Sequence, residues 1–332
     1  MKIAYFTETY LPNTDGVVTS ILSFRKELEE RGHEVYIFCS GSRKAKKENR
    51  DSKVFYHLST PFRPYPDYKI AIFPFYSLEM ARRLEIDLLH THGMATMGLS
   101  AASASFFLGL PLVGTFHTFL SEAVHLIADR KATRKFAQRR AWKYLRWYYR
   151  KCDVIIAPTD TTRKILVEHG FKDVRVIPSG VDIERFRPDL DGSAVRRELG
   201  LENAQIVLHV GRVSKEKNLE VLIAAAPIIL GEAPEVRFVI VGGGPAEQFY
   251  REQVRKQGLQ NYFKFTGRVE DEKLPLCYAA SDALVFPSKF ETQGLVSLEA
   301  MASGKPVAGA NYLAIGEIVK DGYNGFLFNP DD

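Results

Sequence analysis

The chain has 332 residues, 45% of them apolar and 12% aromatic, which is enough to bury a sizeable core and suits two domains better than one. Net charge is only +5, yet Arg130 to Lys151 holds ten Lys and Arg and no acid, so the basicity is local. Three scattered cysteines without CxxC or neighbouring His spacing argue against a zinc site and predict a reduced, cytoplasmic protein.

Short apolar strands alternate with amphipathic helices from the start: a strand over Ile3–Phe6, a helix over Val17–Arg31, a second strand over Val35–Phe38. KAKKENRDSK, around Lys44 to Lys53, reads as a solvated loop. Further strands are expected at Leu88–His90, Pro111–Thr115, Val154–Pro158 and Val174–Ile177. This alternation predicts an α/β fold with a parallel, doubly wound sheet. After Phe186 the text turns polar and turn-rich with Pro188 and Gly192, placing a boundary between domains 1–187 and 188–332. The second half repeats the pattern: strand Ile206–Val210, helix Leu219–Leu230, strand Arg237–Val241, helix Ala246–Gln257, strand Phe263–Thr266, helix Lys273–Ala280, strand Ala283–Phe286. Two Rossmann-like domains facing a cleft follow, with ligands expected at the carboxyl ends of the strands. The chain stops at Asn329 to Asp332 soon after a strand-like GFLF, which reads as a truncated C-terminus. No stretch approaches the ~20 apolar residues of a membrane span, and the N-terminus lacks a signal core, so any membrane contact is peripheral.

The segment Ser288 to Val307 carries the most chemistry. Gly294 opens a helix with Leu295, Leu298 and Met301 at helical spacing, which leaves Glu291 in the preceding loop and Glu299 on the helix. Helix-start amides at Gly294 and Leu295 favour an anion, and the two acids can meet hydroxyls of a sugar and a ribose; two solvated surface acids are the alternative. Arg212 follows a strand, and Lys217 precedes Asn218, a suitable N-cap. Lys215 and Lys217 at a helix start oppose its dipole unless an anion lies between them. Gly16 lies in the loop before a helix, where a backbone can approach a phosphate. VGGGP puts Glu247 where a dinucleotide fingerprint needs its third Gly, so an NAD site is a poor reading. Asp189-Leu190-Asp191 spells a DxD but sits in the linker, where a turn is the better assignment than a metal site.

These motifs together resemble the family-four retaining glycosyltransferases of the two-domain GT-B fold. The likeness runs from Lys2 to Pro330 through TETYLPNTDGVVTSI, TFHT, IPSGVDIERF, GRVSKEKN, VGGGP and ETQGLVSLEAMASGKPV, and the spelling is closest to diacylglycerol glucosyltransferases. The resemblance implies a nucleotide sugar as substrate, no metal or other cofactor, and Arg212 and Lys217 on the donor diphosphate. It also implies His117 of TFHT near the transferred hexose, with Gly16, Gly243, Arg268, Val269, Glu291, Gln293, Gly294, Leu295 and Glu299 binding the donor. Asp15 stands where many members have a first glycine. Glu291 as a covalent nucleophile and front-face transfer without one both remain open; front-face transfer is the expectation.

One helix carries the acceptor argument. Projected at 100° per residue, Ala137, Ala141, Trp142, Tyr144, Leu145, Tyr148 and Tyr149 face one side. Lys135, Arg139, Arg140, Lys143, Arg146, Arg150 and Lys151 face the other, with Phe136 and Trp147 among them. Cations around exposed aromatics suit an anionic membrane surface, on the inner face of the cell membrane, with a lipid acceptor such as diacylglycerol. A solvated basic face is the alternative, and nucleic acid lacks any accompanying motif. The rival functions are transfer, for instance of mannose, to a soluble or phosphoinositide acceptor, a UDP-sugar epimerase on the same fold, and a non-catalytic nucleotide-sugar-binding module.

Overall fold

The structure, a computed structural model, describes residues 1–62, 65–72, 76–119 and 131–331, with only the backbone of residues 65–68 and 131–134. Arg130 and Asp332 therefore lie outside it. The chain divides into two compact units, Met1–Gly180 and Val181–Asp332. The division comes a few residues ahead of the boundary expected at Arg187/Pro188, and packing gives the reason. Phe186 is buried in the core of the second unit, with Val181 against it, and its ring meets Tyr278 edge-on at 5.6 Å.

The first unit is an eight-stranded sheet of β1 (Lys2–Thr7), β2 (Glu34–Gly41), β3 (Val54–Phe62), β4 (Tyr65–Ala71), β5 (Leu88–Thr91), β6 (Leu112–Thr115), β7 (Val154–Ala157) and β8 (Val174–Val176). Its order is β4-β3-β2-β1-β5-β6-β7-β8, parallel except for the β3–β4 pair. That antiparallel edge has no counterpart in the sequence reading. Buried runs such as Ile3 to Phe6 and Val35 to Cys39 are apolar almost without alternation, as expected of parallel strands covered on both faces. The expected loop around Lys44 to Lys53 is in part a helix, Arg43–Glu48. Ser42 caps it by accepting from the Ala45 amide at 3.0 Å, an N-cap contact strong enough to start a turn in a lysine-rich segment.

The second unit holds β9 (Gln205–Val210), β10 (Val236–Val241), β11 (Phe263–Gly267), β12 (Ala283–Phe286), β13 (Val307–Ala310) and β14 (Gly325–Phe328), all parallel in the order β11-β10-β9-β12-β13-β14. The order reverses direction between β9 and β12, and in the first unit between β1 and β5. Parallel sheets splay their following loops apart at such a switch point and leave a crevice at the strands' carboxyl ends.

Glu8, just past β1, shows how tightly the first switch point is built. Its Oε1 accepts from the amides of Ala95, Met97 and Gly98 at 3.0, 3.0 and 3.2 Å, closing the start of helix Thr96–Leu108. The carboxyl is 9% exposed, and a Cβ on Gly93 would fall 1.4 Å from Glu8 Oε2, so only glycine fits beside it. Glu8→Ala strands three amide donors, two of them buried, and is expected to cost about 2–3 kcal/mol. Chemical denaturation should show a lower midpoint at unchanged slope.

Candidate functional site

In the second unit the expected donor residues collect at the β9–β12 switch point. Gly211 and Arg212 leave β9, Ser214 leads into a 3₁₀ turn at Lys215–Lys217, and helix Leu219–Glu232 follows. Asn218 stands at the N-cap position but in the left-handed region (φ 55°), with no side-chain cap bond. Its amide donates instead to Pro330 O at 2.9 Å, correcting the expected capping role. Lys217 Nζ donates to Glu291 Oε1 at 2.5 Å, and Ser288 Oγ donates to the same oxygen at 2.6 Å. Both charged side chains are largely buried, 20% and 16% exposed, and the ammonium also lies 5.5 Å over the Phe286 ring.

Burial pushes the Glu291 carboxyl up, but the Lys217 ammonium and the Ser288 hydroxyl outweigh it and hold it below its usual range. Beneath them His209 is fully buried, its Nδ1 3.2 Å from Val285 O, and burial with Lys217 nearby pushes it down to about 4. Ser288 and His209 were missed as site residues. Ser288 sits two residues after the end of β12 and three residues before an acid, a spacing at which a hydroxyl reaches a neighbouring carboxylate.

Gly294 adopts φ 77° at the start of helix Leu295–Ala302, a left-handed conformation that favours glycine, and a Cβ there would also press on Ile315 Cδ1 at 2.4 Å. Gln293 beside it is 6% exposed. Glu299 faces inward at 7% exposure, with Tyr278 donating to its Oε2 at 2.7 Å. Burial raises its carboxyl above the usual range, against the opposing Tyr278 bond and the Arg185 charge.

The VGGGP loop interlocks with the loop after β9. A Cβ on Gly242 would fall 1.9 Å from Gly211 O, and one on Gly244 2.2 Å from Val213 O, so these two glycines serve packing. Gly243 is roomier: its carbonyl accepts from the Val213 amide at 3.1 Å, and the nearest side-chain atom to an added Cβ would be Arg268 Cγ at 3.7 Å. Arg268 is exposed and Val269 packs on the core, beside a cavity of about 550 Å³ lined by Glu198, Leu208, Lys273 and Cys277 among others. In the linker Asp191 accepts from the Ser193 amide at 2.8 Å and hydroxyl at 2.9 Å, a local turn in keeping with the assignment made for the DxD.

In the first unit, Gly16 is the exposed first residue of helix Gly16–Glu30, not a loop residue. The amides of Val17 and Val18 already donate to the Asp15 carboxylate at 3.0 Å each, so the chain's own anion fills much of the expected anion position. His117 follows β6 as expected and is 3.0 Å from His92 Nδ1 through its Nε2. His90, in β5, and His92, just past its end, have ring centroids 4.1 Å apart and tilted by 31°, with His90 Nε2 2.7 Å from Thr115 Oγ1 and Tyr5 against both rings. Burial pushes His117 down to about 4, and burial with the His117 charge pushes His90 to about 3, so the cluster is neutral near pH 7. The pair His90 and His92 was overlooked, although a two-residue spacing at a strand end puts both side chains on one face.

Helix Lys131–Tyr149 packs Ala141, Leu145, Tyr148 and Tyr149 inward, and Trp142 stacks on His169 at 3.7 Å. Arg139, Arg140 and Lys143 are exposed, as are Phe136 (60%) and Trp147 (50%). Cations cover both rings, Arg140 at 5.2 Å from Phe136 and Lys151 at 4.7 Å from Trp147. No helix among the described residues is long and apolar enough to cross a membrane.

Comparison with known proteins matches residues 14–185 to Glycosyltransferase Family 4 and residues 193–332 to Glycosyl transferases group 1. Alpha-monoglucosyldiacylglycerol synthase of Streptococcus pneumoniae is 32% identical, covering 99% of this chain and 75% of that protein. The synthase of the same name from Acholeplasma laidlawii is 29% identical over 100% of this chain and 86% of its own. A GDP-mannose-dependent alpha-mannosyltransferase of Corynebacterium glutamicum is 27% identical, covering 100% of this chain and 78% of that one. Among solved structures, Anabaena HepE in complex with UDP-glucose superposes with a TM-score of 0.77 at 26% identity, covering 100% of this chain and 86% of HepE.

Proposed function

Since the chain belongs to glycosyltransferase family 4 and is a glycosyltransferase of the GT-B fold, we propose that it moves glucose from UDP-glucose to diacylglycerol or a similar membrane lipid. The transfer retains the anomeric configuration and uses no metal. The carrying observation is the Lys217–Glu291 pair at the β9–β12 switch point: a fixed cation for the leaving diphosphate beside a fixed acceptor for sugar hydroxyls. Arg212 supplies the second positive charge. Arg268, Val269 and Gly243 border the nucleobase, and the adjoining cavity has room for it. Glu299 accepts from the ribose through the oxygen that Tyr278 leaves to it, while Gln293, Gly294 and Leu295 line the sugar and phosphate side. In the first unit, His117 positions the hexose and Gly16 lets the backbone approach the donor.

In front-face transfer the bond from the anomeric carbon to the phosphate oxygen breaks and one to the acceptor oxygen forms. The acceptor's proton passes to the departing phosphate. Glu291 binds sugar hydroxyls and forms no bond to carbon. The lipid reading draws on the glucosyldiacylglycerol synthases and on the exposed aromatics set among cations at Phe136, Arg139, Arg140, Lys143 and Trp147. Binding is peripheral, on the cytoplasmic face of the membrane. Mannosyl transfer is the second reading, favoured by the mannosyltransferase relatives.

Chromatography of products from labelled UDP-glucose and GDP-mannose, each offered with mixed-lipid vesicles containing diacylglycerol, separates the two. Expected is label in an organic-soluble α-glucosyl lipid from UDP-glucose alone, with chelators having no effect. Label confined to water-soluble product would remove the lipid acceptor, and label from GDP-mannose alone would replace the donor.

A further inference from the structure

We propose that His92 is a positioning residue, whose Nδ1–H donates to His117 Nε2 and thereby holds His117 in the tautomer protonated on Nδ1. The inference rests on the reading of His117 as the residue that positions the sugar. β5 delivers His92 and β6 delivers His117 to adjacent strand ends, since Thr91 lies opposite Gly114 in the ladder. The His92 backbone is fixed by its amide bond to Phe6 O at 2.8 Å, and its ring is held at 4.7 Å from Tyr5 and 4.1 Å from His90. The 3.0 Å contact between His92 Nδ1 and His117 Nε2 then needs one proton and one lone pair.

The other end of His92 decides which ring donates. His92 is 4% exposed, and its Nε2 is buried without a hydrogen-bond partner among the described residues. Were His117 the donor, the single proton of neutral His92 would sit on that Nε2 as an orphaned buried N–H, the kind of group folded proteins rarely tolerate. With His92 donating, only a lone pair is left bare. His117 then accepts at Nε2 and carries its own proton on Nδ1, so that nitrogen donates to an oxygen and takes no proton from one.

The test is a long-range proton–nitrogen spectrum of histidine-labelled full chain, with the His117 signals identified by their loss in His117→Gln. Expected is a protonated Nδ1 and bare Nε2 for His117 in the unsubstituted protein, kept in His92→Asn, whose amide nitrogen takes the place of Nδ1. In His92→Leu the proton should move to Nε2 or divide between the nitrogens. kcat should fall on the order of tenfold there with the donor KM little changed, and His92→Asn should restore it. A proton on Nε2 of His117 in the unsubstituted protein overturns the proposal, even if the Leu variant does not fold. So does a folded Leu variant with an unaltered tautomer. Full turnover in His117→Gln would instead remove the sugar-positioning reading and leave the tautomer result standing.

Discussion

Lys217→Ala is expected to lower kcat by roughly 10²–10³, the scale on which a single preorganised charge or donor acts on a developing negative oxygen. The size follows from where Lys217 sits. Its ammonium is largely buried and is held by the Glu291 carboxylate at 2.5 Å, so the site loses a fixed cation that solvent does not replace. The substitution also strands Glu291, which keeps only the Ser288 hydroxyl and should take up a proton more readily than before. Lys215 is the control: it is exposed and turns away, over the Phe249 ring at 5.2 Å, so Lys215→Ala should stay within about twofold. The measurement is turnover at saturating donor with circular dichroism confirming the fold. Retention of more than about a tenth of the activity in Lys217→Ala would falsify the assignment of Lys217 to the leaving group.

Combined Arg139→Glu, Arg140→Glu and Lys143→Glu should abolish recruitment to anionic vesicles. Each cation near such a surface contributes about 1 kcal/mol, so losing three lowers partitioning by roughly 10²-fold, and three new negative charges add repulsion. All three are exposed on a helix whose inner side is buried by Ala141, Leu145 and Tyr148, so the fold should tolerate the change. Sedimentation with phosphatidylglycerol vesicles reads the effect, and zwitterionic vesicles supply the baseline. Added salt should weaken binding of the unsubstituted protein, since the Debye length is only ~10 Å at 0.1 M. Vesicle binding unchanged by the triple substitution, or insensitive to salt, would leave Phe136 and Trp147 as mere surface exceptions.

Backbone architecture was largely readable because it is written locally. Runs such as Ile206 to Val210 followed by Leu219 to Leu230 announce strand and helix from period and length, and Gly294 before Leu295, Leu298 and Met301 marked a helix start that the structure contains. What escaped is written between distant positions. Glu8 meets Ala95, Met97 and Gly98 almost ninety residues away, and His92 meets His117 across two strand ends. No local spacing encodes such partners; they appear only once strand order is known. Asn218 shows the converse. Its residue type matched a cap, but its backbone takes the left-handed region (φ 55°) and its side-chain nitrogen is tied to the Pro330 carbonyl, so tertiary context overrode the local preference. At Gly16 the neighbouring residue supplied what spacing did not: Asp15 caps the helix start with its own carboxylate, accepting from Val17 and Val18.

The fit of Gly242 against Gly211 and of Gly244 against Val213 joins the turn after β10 to the turn after β9 at distances that leave no room for a methyl group. The two turns are therefore a single mechanical part. Anyone transplanting donor preference from a relative into this scaffold should move both turns together, and direct random diversification to Arg268, which is exposed.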